Sequence, residues 1–173
     1  MWYKILISTI FWALIANIQI TLLGGFGDYL ASLNLLLVLL VALLFFIDFK
    51  WIVYFTILAG AILDIYSSLP FGIFMVSFFI AMAVSDFLLL NFLTNKSFYS
   101  LVSVGLSAVI VFNMVFLIST VLVYLFGFSD FFIDRNYWLG LVYQVVNMVL
   151  FLSIWFFIVN LFSRQFKPNF IRS

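Results

Sequence analysis

Apolar residues fill this chain in six long blocks, each close to the roughly 20 residues an α-helix needs to cross a bilayer. The pattern predicts helices over 3–23, 28–47, 51–66, 70–93, 98–127 and 137–162. The breaks carry turn or charge chemistry: Gly-Gly-Phe-Gly-Asp at 24–28, Asp-Phe-Lys at 48–50, Ser-Ser-Leu-Pro at 67–70, Thr-Asn-Lys-Ser at 94–97, and a polar stretch at 128–136. The expected fold is all-α, a single six-helix transmembrane domain over 1–173, with no fixed-period repeat and no low-complexity linker. The first block follows Lys4 as a signal peptide would, but it runs too long and lacks a small-x-small cleavage site. It reads as an uncleaved first helix.

Composition sharpens this picture. The chain is 68% apolar, 22% aromatic and only 8% charged, whereas a soluble surface carries about 25% charge. No connection is long enough for a soluble domain, so any catalytic or nucleotide-hydrolysing partner is expected to be another chain. Cysteine and histidine are absent, which removes disulfides, thiol nucleophiles, imidazole bases and the usual transition-metal ligands. No cofactor, no metal and no nucleic-acid partner is expected.

Lys and Arg are retained on the cytoplasmic side of short loops. With the N-terminus inside, Lys4, Lys50, Lys96, Arg164, Lys167 and Arg172 fall on that side, and Arg135 alone falls outside, beside Asp130 and Asp134. Both termini are therefore expected in the cytoplasm. Trp51, Tyr54, Tyr99, Tyr137 and Trp138 sit near block ends, where amphipathic rings mark the interface. The basic tail reads chiefly as this topology signal, with contact to anionic lipid as its sharper role.

Within so apolar a chain the carboxylates are conspicuous. Asp64 at membrane depth costs at least ~2.5 kcal/mol and should face the bundle interior or find donors. Gly60, Asp64 and Ser67 or Ser68 recur on one helix face, where the glycine lets a neighbouring backbone approach and the hydroxyls can donate toward the carboxylate. Pro70 suits the first turn of the next helix, and Gly72 keeps that turn free of bulk. The amides of that helix N-terminus are favourable donors to Asp64.

Asp86 returns on the next helix about 10 Å deeper. That offset, with His, Cys and Glu all absent from the chain, argues against a catalytic aspartate pair and against an enzyme. Lys96 lies about 15 Å from Asp86 along the axis, too far for a simple pair. Asn17 and Gln19, Asn113, and Gln144 with Asn147 form a polar set, read as interhelical glue or as a pocket open to the outside. Ser77, Ala81 and Ser85 make a small-residue stripe expected to pack on Ser103 and Ser107. The 25 phenylalanines cover lipid or a partner groove.

The run Gly60, Asp64, Ser67, Ser68, Pro70 and Gly72, at the third-to-fourth helix hairpin of a six-helix chain of this length, resembles the rod shape-determining protein MreD family. Phe71 stands where Leu is commoner in that family, and Ser68 where Gly is frequent. The resemblance implies a non-enzymatic scaffold of the bacterial cell-elongation and peptidoglycan-synthesis machinery. It would bind an MreC-like protein and, through it, MreB-like filaments and the synthase pair of RodA and a penicillin-binding protein. The rival reading is the substrate-binding subunit of an energy-coupling-factor vitamin transporter. Such subunits carry an Ala-x-x-x-Ala face on the first helix, whereas here Ala13 is followed four residues later by Asn17.

Overall fold

The computed structural model describes residues 2–23, 25, 27–67, 69–93, 97–127 and 135–165. Ser68, Lys96, Asp130, Asp134, Lys167 and Arg172 lie outside the described residues, as do the side chains of Lys4, Arg135 and Arg164. Every regular element among the described residues is helical. The order is α1 (Trp2–Asn17), a π-helical continuation (Ile18–Leu23), α2 (Asp28–Ala31), α3 (Leu35–Leu44), α4 (Phe49–Tyr66), α5 (Ile73–Asn91), α6 (Phe98–Leu125) and α7 (Arg135–Gln165). Four helices are long and apolar enough to cross a membrane: α4, α5, α6 and the Tyr137–Leu161 part of α7. The chain is a multi-pass helical membrane protein.

The second block departs from its expectation. Residues 28–47 do not form one helix: α2 is a single turn, and α3 is a separate helix of 10 residues, about 15 Å long against a hydrocarbon core of about 30 Å. The break has a side-chain cause. The Ser32 hydroxyl donates back to the Tyr29 carbonyl at 2.7 Å, and Asn34 caps α3 by accepting the Leu37 N–H at 3.1 Å. Asparagine gains more from capping a helix start than from continuing one.

Beyond that cap α3 is apolar on all sides, and a helix without a polar face belongs in the interior of a bundle. Leu36, Leu37, Leu40 and Val41 are fully buried, and α1, α4, α5, α6 and α7 all pack against the helix. Around it α4, α5, α6 and α7 pack in sequence, each on the next, and α1 lies on α4.

The first block is continuous but changes pitch. At its change of pitch, the Asn17 amide donates to the Ala13 carbonyl at 2.9 Å, and Thr21 donates to the Asn17 carbonyl at 2.6 Å. Side chains that bond the carbonyl one turn back compete with the helical ladder and locally distort it.

The fourth block begins its helix at Ile73, three residues after Pro70. Gly72 has φ of 107° and serves as the N-cap, a left-handed conformation that ends the turn and that glycine adopts without penalty. Pro70 lies in the turn and not in the helix. The α5–α6 seam is aromatic: Phe78 packs tilted against Phe112 with ring centroids 4.8 Å apart, and Phe74 likewise against Phe116 at 5.1 Å. These rings set the register. Ser77, Ala81 and Ser85 are fully buried, but Ser103 is exposed and the Ser107 hydroxyl bonds the Val104 carbonyl of its own helix. The two serine stripes therefore do not interlock.

Candidate functional site: the α4–α5 hairpin

Asp64 lies two residues before Tyr66, the end of α4, and is 3% exposed. Its carboxylate spans the seam to α5: Oδ1 accepts the Phe74 N–H at 2.9 Å, and Oδ2 accepts the Met75 N–H at 3.2 Å. The first turn of any helix has amides without intrahelical acceptors. Here the N-cap is Gly72, which has no side chain to serve them. Asp64 supplies that cap from the neighbouring helix, with its negative end at the positive end of the α5 dipole.

Gly60 makes this reach possible. It lies one turn before Asp64 on the same face of α4, and a Cβ added to it would collide with the Cα of Met75 and come within 2.8 Å of the Met75 nitrogen. Met75 is thus gripped twice. Gly60 admits its backbone and Asp64 takes its amide.

Ser67 has a different role from the expected one. Its hydroxyl donates to the Asp64 main-chain carbonyl at 3.1 Å, and its N–H donates to Leu63 at 2.9 Å. It closes the last turn of α4 and does not touch the carboxylate. The turn that follows holds Pro70 half-buried and presents Phe71, 66% exposed, at its tip beside Ile65, 72% exposed, and Tyr66, 55% exposed. The hairpin is polar inside and apolar at its rim.

The other polar residues resolve into separate pairs. Asn17 accepts the Tyr66 hydroxyl at 3.3 Å, tying α1 to the hairpin. The Asn113 amide donates to Gln144 at 2.8 Å across the α6–α7 seam, and also to the Val109 carbonyl at 2.8 Å. Asn147 donates to the Tyr29 carbonyl at 3.0 Å, joining α7 to α2. Gln19 accepts the Leu36 N–H at 3.0 Å, a second case of a side chain from one helix capping the start of another. All four of these contacts, Tyr66–Asn17, Asn113–Gln144, Asn147–Tyr29 and Leu36–Gln19, join separate helices, the arrangement expected of interhelical glue.

Asp86 stands apart. It is partly exposed on α5 and has no hydrogen-bond or ion-pair partner among the described residues. Taking the Gly60–Met75 contact as a common level, Asp64 lies four residues toward the hairpin and Asp86 eleven residues away from it, an axial separation of about 22 Å. This exceeds the 10 Å counted from the loops, because the close helix contact sets the register and the loop ends do not.

A cavity of 150 Å³ opens at the end of the bundle away from the hairpin, lined by Phe45, Phe46, Ser97, Leu101, Trp155, Phe156 and Val159. Its lining is overwhelmingly apolar and includes none of the intramembrane polar residues singled out in the sequence. Among the described residues no group of carboxylates is placed to hold a metal ion.

Two participants escaped the sequence reading. Asn34 was legible as a cap signal, a lone Asn before an apolar run, but was absorbed into a block read as one span. Met75 contributes through its backbone, which no residue type announces. Compared with protein-family models, with curated proteins and with solved structures, the chain matches none of them.

Proposed function

We propose that the chain is a non-enzymatic membrane scaffold of the MreD type, serving bacterial cell elongation from the plasma membrane. In this reading it crosses six times, with α1 and the α2–α3 pair as the two shorter crossings and both termini in the cytoplasm. The hairpin between α4 and α5 then faces outward and meets an MreC-like partner. Through that partner the scaffold connects to MreB-like filaments and to the RodA and penicillin-binding-protein synthase.

One observation carries the proposal: Asp64 is buried and bonded to two amides of the next helix. A carboxylate used this way fixes the angle between two helices and the shape of the turn above them. The exposed rim of Ile65, Tyr66 and Phe71 is the surface that the anchored turn offers. Pairing of the other polar residues with one another favours a packed scaffold over a ligand-binding subunit.

The test separates shape from presence. Asp64→Asn keeps the volume and deletes the charge, while Pro70→Ala with Gly72→Leu disturbs the turn and leaves the carboxylate. Both variants should insert at normal abundance and lose most co-purification with an MreC-like protein. Undiminished capture by both would sink the reading. Saturable vitamin binding, lost on the same changes, would move the chain to the transporter class.

A further inference from the structure

Asp86 is the one carboxylate inside a long span that the hairpin does not use. We propose that it marks a self-association face on α4 and α5, where Asp86 of each copy pairs with Lys50 of a second copy. The proposal is independent of the scaffold reading above.

The argument starts from level. α4 and α5 are antiparallel, and Gly60 against Met75 gives them a shared height. Lys50 lies ten residues below that point on α4, about 15 Å, and Asp86 eleven residues below it on α5, about 16 Å. The cation and the anion therefore sit at the same depth to within about 2 Å. At 3.6 residues per turn, Lys50 is rotated about 80° from Gly60, and Asp86 about 20° from Met75. Ile57 and Phe79, at intermediate rotations of about 60° and 40°, are 44% and 42% exposed, so both charges border the lipid-facing side of the seam. Lys50 is exposed and Asp86 partly so, and neither has a partner among the described residues.

Level with Lys50 in the first turn of α4, Asp86 sits near the end of its span, where a carboxylate without a partner is open to a cation on a facing surface. A second copy supplies one by symmetry. A two-fold axis along the membrane normal preserves depth, so the Lys50 of one copy arrives level with the Asp86 of the other, twice over, in an isologous interface. Charge complementarity is built into the face. Phe87, 58% exposed, and Leu90, 67% exposed, extend the same helix surface as apolar cover.

The experiment uses charge reversal in the full chain reconstituted in phosphatidylcholine bilayers. The chain has no cysteine, so Phe71→Cys at the far end of the bundle carries donor and acceptor dyes, and energy transfer between copies reports association. The otherwise unchanged chain should associate. Asp86→Lys alone and Lys50→Asp alone should each weaken association about tenfold or more, because each places like charges opposite one another. Mixing the two single variants should restore it, since each supplies the charge the other has lost. That rescue also shows that both variants are folded. No energy transfer from the unreversed chain at any protein-to-lipid ratio would overturn the proposal. So would a mixture that stays apart while the double reversal within one chain recovers thermal stability, which would place the pair inside a single copy. Lys96→Ala should leave association unchanged; abolished association on that change would overturn the assignment to Lys50.

Discussion

Gly60 and Gly140 are both helical glycines, and the structure gives them opposite expectations. At Gly60 an added methyl meets the backbone of Met75, which cannot move without shifting α5, whereas at Gly140 it meets nothing within 4 Å. Gly60→Ala should therefore cost about 1–3 kcal/mol as overpacking. Gly140→Ala should leave stability unchanged or raise it by about 0.5–1 kcal/mol through its effect on the unfolded chain. Thermal unfolding of both variants in one detergent checks the contrast; equal melting temperatures would contradict the tight α4–α5 approach. At this scale the sequence was informative where chemistry compelled an answer. A carboxylate in an apolar run needs donors, and the amides after Gly72 are nearby in the chain, so the Asp64 anchor could be anticipated. The Ser67 hydroxyl could not be assigned, because its distance to the carboxylate and to the Asp64 carbonyl depends on how α4 ends.

The helices show where legibility stops. α4, α5, α6 and α7 follow from long apolar runs bounded by charge or turn residues, and their ends shifted by only a few positions. The 28–47 block failed because total apolarity outweighed one Asn and one Ser in the count, while a cap acts through geometry and needs only a single oxygen. The seam between α6 and α7 offers a test of the glue reading. Asn113 and Gln144 form one buried hydrogen bond across it, worth perhaps 0.6 to 2 kcal/mol in hydrocarbon. A double-mutant cycle with Asn113→Leu and Gln144→Leu should return a coupling energy in that range, read from denaturant unfolding in bicelles. Strict additivity would mean the two side chains act separately. The remaining bond of Asn113, to the Val109 carbonyl of its own helix, is removed with either Asn113 variant and cancels in the cycle.

Among the described residues, the helix caps supplied by a neighbouring helix, from Asp64 and Gln19, gather at the hairpin end of the bundle, and apolar cavity space lies at the other. The proposed six-crossing arrangement would put the hairpin outside the cell, which can be tested directly. Phe71→Cys, at the exposed tip of the turn, should react with an impermeant thiol reagent added to intact cells. Labelling only after permeabilisation would invert the topology and, with it, the proposed partner side. The arrangement also bears on how the protein is made. α3 is too short to cross alone, has no polar face, and is enclosed by α4, α5, α6 and α7, all of which emerge from the ribosome after it. Its lodging in the membrane is consequently provisional during synthesis and becomes final only when the last helix arrives. Chains released early, after α5 for instance, should leave α3 open to the membrane proteases that remove unfinished products, so the centre of the fold doubles as a check on completion.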